Sequence, residues 1–182
     1  MLKGSDKMTK STLLVLLIVG NAIFGTATID AQETKAQGTK TKMGDDLTTG
    51  PKDDKEQVAP GKIDKNAKKE FKTTKSGLKY RILRKGKMDA KKPTAENEVT
   101  VHYKGWLDNK TIFDSSYRRA EKISFPLNRV IPGWTEGMQL IGEGGMIELE
   151  IPSKLGYGAR GAGNVIPPNS TLHFIVELYE VK

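Results

Sequence analysis

The stretch Val130-Ile-Pro-Gly-Trp-Thr-Glu-Gly137 decides the fold of this chain. Pro132 fixes φ and suits the first turn of a helix, and Gly133 lets neighbouring backbone pass close to Trp134. Residues 138–141 can carry two more turns before the glycines at positions 142, 144 and 145 end the helix. We therefore expect one short helix. We also expect Trp134 to form the floor of an apolar cavity that is reachable from solvent and is the working site.

Segments on both sides of this helix alternate apolar and polar residues, as half-buried strands do. In residues 99–104, for example, Val99, Val101 and Tyr103 alternate with polar side chains. The pattern predicts an α+β domain of residues 70–182, in which an antiparallel sheet of about five strands wraps around the helix. The strand-like segments are residues 78–85, 99–107, 111–114, 123–127, 146–151 and 171–181.

The N-terminal part of the chain reads as two non-globular segments. Residues 1–31 combine early lysines with an apolar run, residues 13–19 and 22–24, that is short for a membrane span, so we expect an export signal. An uncleaved anchor is the alternative, and Met8 is an alternative start. Residues 32–69 are charged and have no aromatic residue, which predicts a flexible linker. The domain would then lie outside the cytoplasm, in the periplasm if the source is Gram-negative.

Composition excludes several classes of function. The chain has no cysteine and two histidines, so thiol catalysis, disulfides and His-rich or thiolate metal sites are excluded. We expect no metal and no cofactor. The net charge of +8 is spread among acids, which favours a solvated cationic surface over a nucleic-acid site.

Two motifs suggest chemistry and are rejected on their context. Residues 156–161 match the dinucleotide pattern GxGxxG, but the following Ala-Gly-Asn-Val-Ile-Pro-Pro168 cannot open the helix that such a site needs. Ser115 and Ser116 lie beside Asp114, but strand alternation turns His102 and His173 toward solvent. The sequence therefore predicts no base beside a serine and no hydrolytic triad.

A set of aromatic and aliphatic residues could be either core or pocket. Its members are Tyr103, Phe113, Ile131, Trp134, Tyr157, Ile166 and Phe174. The indole and the two phenols carry polar groups that a pure core disfavours, and Asp114 follows Phe113 at a strand end. An acid there suits a pocket lined by a few polar groups.

Five separated motifs resemble the FKBP-type peptidyl-prolyl cis/trans isomerases, the macrolide-binding family. They are Val101-His-Tyr-Lys-Gly-Trp, Phe113-Asp-Ser-Ser116, Val130-Ile-Pro-Gly-Trp134, Gly156-Tyr-Gly158 and Ile166-Pro-Pro-Asn-Ser-Thr-Leu172. The resemblance covers residues 75–182. The chain is similar to the exported bacterial members of the family, which have one catalytic domain. It implies a strongly bent sheet around the helix, with the pocket between them.

The resemblance also implies roles for individual residues. Trp134 would be the floor under a proline ring, and Asp114 would lie at the polar edge. The backbone N–H of Ile131 and the hydroxyl of Tyr157 would hold substrate carbonyls. Ile123 and Ala162 depart from the best-known members, which have phenylalanine and histidine there, and would lie at the rim. The walls would be Tyr103, Phe113, Val130, Ile131 and Phe174, and Ile166 belongs to the same substrate-binding set.

The function implied is isomerisation of X-Pro bonds in exported proteins. Its expected partners are proline-containing peptides, unfolded exported chains and macrolide inhibitors. We expect no nucleic acid, no membrane contact except through an uncleaved N-terminal segment, and a monomer. The alternative is a non-catalytic chaperone or adaptor that uses the same cavity to hold proline-containing segments.

Overall fold

The computed structural model describes residues 47–182, so the predicted export signal and the first part of the predicted linker lie outside the described residues. The strands are β1 (Lys72–Thr73), β2 (Lys79–Lys85), β3 (Glu98–Leu107), β4 (Ile112–Ser115), β5 (Ile123–Pro126), β6 (Gly145–Ile151) and β7 (Leu172–Val181), and the helix is α1 (Pro132–Met138). Short 3₁₀ turns span Tyr117–Arg119, Leu127–Arg129, Ser153–Leu155 and Gly158–Arg160. Within residues 47–182, no helix has the length and apolar character needed to cross a bilayer.

All seven strands of the described residues join one antiparallel sheet. The order is β1-β2-β6-β7-β3-β4, and β5 also pairs with β3. Strands β4 and β5 share one edge of β3, because β4 pairs with residues 104–106 and β5 with residues 98–101. The predicted α+β fold, an antiparallel sheet around one short helix, is confirmed. The sheet has seven strands and not about five, and the two residues of β1 are too few to show an alternating pattern.

Helix α1 begins at Pro132 as predicted but ends at Met138, before the predicted position. The N–H groups of Leu140 and Ile141 donate to carbonyl oxygens three residues back, at 3.1 and 3.4 Å. Such bonds make tight 3₁₀-type turns. The α-helix is therefore only seven residues long.

Two glycines bring this helix directly onto strand β6. A Cβ atom on Gly133 would lie 2.5 Å from Ile151 Cγ2, and one on Gly137 would lie 2.7 Å from Leu149 Cδ2. Contacts this short are not tolerated, so a larger residue at either position would push the helix away from the sheet. The close approach fixes the depth at which Trp134 enters the core.

The outer face of the sheet, opposite the helix, is also covered. Here Trp106, Met146, Ile175 and Leu83 form a second apolar cluster, against which Leu47 and Ile63 pack. We call residues 47–64, which supply this cover, the strap. The prediction that residues 32–69 form a flexible linker is therefore wrong for the strap.

Polar contacts hold the strap in place despite its poor apolar content. The Glu177 carboxylate, on the outer face of β7, accepts hydrogen bonds from Gly61 N–H at 2.8 Å, from Arg84 at 2.8 Å and from the Tyr117 hydroxyl at 2.7 Å. Burial raises the pKa of Glu177, but these hydrogen bonds outweigh burial and keep the pKa below its usual value. The strap is thus bound through an ionised carboxylate of the sheet. The hydrophobicity of residues 47–64 does not predict this contact.

Removing the strap should destabilise the domain. We expect a chain beginning at residue 70 to unfold at lower urea concentration than one beginning at residue 47. The loss should be at least about 2 kcal/mol, because Leu47 and Ile63 no longer cover the outer cluster. The m-value should also fall, since less surface is exposed on unfolding. Equal midpoints and m-values would show that the strap adds nothing to the fold.

Candidate active site

Three aromatic rings surround the indole of Trp134 between the helix and the sheet. The ring of Phe174, from β7, lies 5.2 Å from it at 89°, and that of Tyr103, from β3, lies 5.4 Å away at 84°. Phe125, from β5, lies 5.7 Å away at 58°. The pairs with Phe174 and Tyr103 are edge to face, which is favourable because the positive edge of one ring meets the negative face of the other. The indole is therefore held in a fixed orientation.

The floor of this cluster is closed. Trp134 has 0% of its surface exposed, so the expectation of an indole reachable from solvent is wrong. The surrounding rings cover it. Its Nε1–H has no hydrogen-bond partner among residues 47–182, a loss of about 1–3 kcal/mol for a buried donor. A separate open cleft of about 290 Å³ lies between residues 64–72 and β2, and none of these rings lines it.

Three polar side chains, Tyr103, Asp114 and Arg119, form a network at one side of the aromatic cluster. The Tyr103 hydroxyl donates to Asp114 Oδ2, and Arg119 donates to Asp114 Oδ1 at 2.7 Å and to the Tyr103 oxygen at 3.2 Å. Burial, followed by the negative charge of Asp114, raises the pKa of Tyr103, so this phenol stays protonated. The three side chains form a closed network in which Arg119 balances the carboxylate.

Phe113 fits beside this network because Gly105 lies behind it. A Cβ atom on Gly105 would lie 2.6 Å from both the Phe113 and the Phe174 rings. The two rings meet edge to face at 5.5 Å and 81° over this glycine. Phe113 is half-buried, so it offers apolar surface to solvent at the mouth of the cluster.

The structure brings the predicted site residues together. Buried members of one apolar cluster include Tyr103, Val130, Trp134, Ile166 and Phe174, and Phe113, Ile123, Ile131, Tyr157 and Ala162 pack against it partly exposed. Asp114 joins the group through Tyr103. Burial, followed by the charge of Asp114, raises the pKa of Tyr157 to about 12, so its hydroxyl is protonated at neutral pH. The partly exposed members form the mouth, and the buried members form the floor.

Sequence reasoning missed two residues of this site. Phe125 is two residues from Ile123 on strand β5, so alternation alone could have placed it on the inner face with the predicted Ile123. Arg119 lies in the 3₁₀ turn Tyr117–Arg119, next to a second arginine, and no periodic pattern marks it. Its role appears only when the turn brings it back to Asp114.

The prediction that His102 faces solvent is wrong. It is 7% exposed, its ring stacks on Tyr117 at 4.9 Å, and its Nδ1 lies 2.8 Å from Ser116 Oγ. His173 is half-buried, and its Nε2 lies 2.6 Å from Asp108 Oδ1. Strand alternation correctly assigns both histidines to the outer face of the sheet, but other residues cover that face.

A histidine therefore does lie beside a serine, yet the pair does not make a hydrolase. Ser116 is completely buried, and its hydroxyl also bonds the backbone N–H and carbonyl of Tyr103 at 2.8 and 3.2 Å. Such a hydroxyl supports the strand and cannot reach a substrate. The dinucleotide motif likewise has no structural counterpart, because Ala162 after it pairs with Ile166 in a β-bridge and no helix follows.

The class of protein is defined here by an antiparallel sheet around one short helix, with an aromatic cluster and a carboxylate at its edge. Sequence comparison identifies the class: residues 89–179 match the family described as FKBP-type peptidyl-prolyl cis-trans isomerase. The chain belongs to this family.

Known relatives support the assignment. FkpA of Aeromonas hydrophila, an FKBP-type peptidyl-prolyl cis-trans isomerase, is 46% identical over 79% of this chain and 51% of its own length. The crystal structure of FkpA from Escherichia coli is 48% identical over 62% of this chain and 51% of that one, with a TM-score of 0.59. That of AtFKBP13 is 32% identical over 62% of this chain and 99% of that one, with a TM-score of 0.58. The chain spans about half the length of the curated relatives it matches.

The burial of His102 should be visible in its titration. Burial lowers the pKa of this imidazole, and the nearby Lys122 and Arg119 lower it further, against an opposing effect of Glu177. We expect NMR to give a pKa below 6.5 for His102, so that the ring is neutral at pH 7. A value above 6.5 would contradict the buried, neutral ring described here.

Proposed function

We propose that this chain is a peptidyl-prolyl cis/trans isomerase that accelerates rotation about X-Pro bonds in exported protein chains. The observation that carries the proposal is the Trp134 cluster with Asp114 at its mouth, in a domain of the FKBP-type family. The partners we propose are proline-containing segments of unfolded exported proteins, with macrolides as inhibitors. The export signal predicted for residues 1–31 supports a location outside the cytoplasm.

The chemistry needs no nucleophile. The barrier to rotation about a peptide bond is about 18–20 kcal/mol because the twisted amide loses its resonance. The twisted amide is also less dipolar than the planar one, so an apolar cluster that excludes water favours it over the ground state. Each 1.4 kcal/mol or so of this preference raises the rate about tenfold.

Different residues of the site would bind different parts of the substrate. The proline ring would lie on Trp134, between Tyr103, Phe113 and Phe174. The N–H of Ile131 and the protonated hydroxyl of Tyr157 would hold the carbonyls on either side of the rotating bond. Because the indole is covered, entry of the proline ring requires the half-buried side chains at the mouth to move aside. Binding is therefore coupled to a small rearrangement.

The activity should depend on Phe113, which is partly exposed and can be shortened without opening a hole in the core. We expect Phe113→Ala to lower kcat/KM for a proline tetrapeptide at least about tenfold, because one wall is lost. A protease-coupled assay measures this. The matched control is Phe71→Ala, since Phe71 is also half-buried but lies near Arg81, at 4.7 Å.

Three outcomes of this assay separate the functions. Loss in Phe113→Ala but not in Phe71→Ala, with inhibition of the unchanged chain by a macrolide, supports the isomerase. Equal turnover in both variants would contradict the assigned site. Peptide binding without any acceleration by the unchanged chain would favour the non-catalytic chaperone or adaptor.

The rate should also be nearly independent of pH from about 6 to 9. The phenols of Tyr103 and Tyr157 have raised pKa values, that of Tyr157 to about 12, and remain protonated throughout. Burial lowers the pKa of His102, which favours the neutral ring over this range. A bell-shaped profile of kcat/KM in this range would indicate acid-base catalysis.

A further inference from the structure

Several polar contacts of the strap fall on one short segment of the domain, residues 115–119. Asp53 Oδ2 pairs with Arg118 Nε at 2.6 Å, and the backbone N–H of Gln57 donates to the Tyr117 carbonyl at 3.0 Å. These contacts lie on the outer side of the segment. They join the strap to the stretch that directly follows Phe113 and Asp114 in the chain.

Glu56 makes a second link at the same place. Its carboxylate pairs with the buried ammonium of Lys104 at 3.0 Å and accepts a weaker hydrogen bond from Ser115 Oγ at 3.4 Å. Lys104 and Ser115 are cross-strand partners on β3 and β4. Glu56 therefore bridges the two strands from outside. Pro51, also in the strap, accepts a hydrogen bond from the same ammonium at 2.9 Å.

The other side of these two strands carries the polar edge of the pocket. Successive strand residues point to opposite faces, so Tyr103 and Asp114 point inward where Lys104 and Ser115 point outward. Arg119, which completes the network with Asp114, directly follows the Arg118 that Asp53 holds. Each member of the inner network is thus next in sequence to a residue that the strap contacts.

We propose that the strap positions the polar edge of the isomerase pocket, with Asp53 and Glu56 as positioning residues that act through Arg118, Lys104 and Ser115. This inference rests on the proposed function, because it concerns the same site. The strap touches no substrate. It fixes the distance between β4 and the 3₁₀ turn Tyr117–Arg119, and so keeps Arg119 and Tyr103 on the two oxygens of Asp114.

The network of Tyr103, Asp114 and Arg119 needs positioning because its hydrogen bonds join side chains from separate segments over short distances. Asp114 lies one residue before the end of β4, and Arg119 lies in a 3₁₀ turn. A turn is easily displaced when only one side is supported. Buried ion pairs contribute little net stability, but they specify one arrangement, because an alternative leaves a buried charge unpaired. The Lys104–Glu56 pair suits that role, since the Lys104 side chain is only 2% exposed.

The test uses the full 182-residue chain with Asp53→Asn and Glu56→Gln, singly and combined. The matched control is Asp54→Asn, whose carboxylate is exposed and pairs only with the exposed Lys52 among the described ion pairs. Thermal melting first establishes a temperature at which every variant is folded. We expect the combined variant to lose about tenfold in kcat/KM, because catalytic groups are displaced. The control should lose nothing.

A double-mutant cycle separates positioning from general stabilisation. In an Arg119→Lys background, the combined strap variant should cost less than about twofold, because the network that the strap holds is already disrupted. A loss that stays tenfold would overturn the inference. The inference would also be overturned if the unchanged chain is active and the combined strap variant is equally active. In that case the proposed function would still stand.

A second readout does not depend on catalysis. The NMR signals of the Arg119 guanidinium and of the Asp114 amide should shift in Asp53→Asn and Glu56→Gln and stay in place in Asp54→Asn. If the unchanged chain shows no isomerase activity, the proposed function fails, and these signals alone decide whether the strap holds the network. Signals that do not move in either strap variant would overturn the inference.

Discussion

The packing of the Trp134 indole against Phe174 and Tyr103 is the constraint on which the rest of the structure depends. It requires a helix that carries a large ring into the sheet, and Pro132 starts that helix at the right place. It also requires glycines where a Cβ atom would collide with a neighbouring side chain, as at Gly137 against Leu149 and at Gly105 between two phenylalanines. The site is thus not added to the fold. It is the part of the core that reaches the surface.

That dual role explains the mixture of burial and exposure in the cluster. Trp134 and Phe174 are buried and hold the domain together, whereas Phe113, Ile131 and Tyr157 are half-buried and keep part of their surface exposed. In the proposed isomerase, the exclusion of water would give such a site its preference for the twisted amide. In the proposed mechanism the closed floor would open only when a ligand parts the rings, which would link affinity to rearrangement.

The sheet serves this site from both faces. Its inner face supplies the rings, and its outer face binds the strap through Glu177, Lys104 and a small apolar cluster. The segment 115–119 is held between strap and pocket. A stretch that looks like a spacer in the sequence, residues 47–64, thereby packs on the sheet of the domain.

Much of the inner face could be predicted from the sequence, because Val101 and Tyr103 on β3, and Leu172 and Phe174 on β7, repeat with a period of two. The outer face could not. His102 and Lys104 are polar residues at the positions where alternation predicts solvent, and their partners Ser116 and Glu56 are distant in the sequence or lie in a charged segment. Composition predicts no core for the strap, since its contacts are mainly hydrogen bonds and ion pairs. Arg119 was missed for a similar reason, because a turn and not a period brings it to Asp114.

The most direct measurement is two-dimensional NMR exchange spectroscopy on an X-Pro peptide mixed with a small amount of the full chain, together with intermolecular NOEs. The account predicts stronger exchange peaks between cis and trans forms, with NOEs from the proline ring to the Trp134 indole and to Phe113. Faster exchange without contacts to these rings would place the catalysis elsewhere. Contacts to the rings without faster exchange would contradict the claim that the aromatic cluster favours the twisted amide.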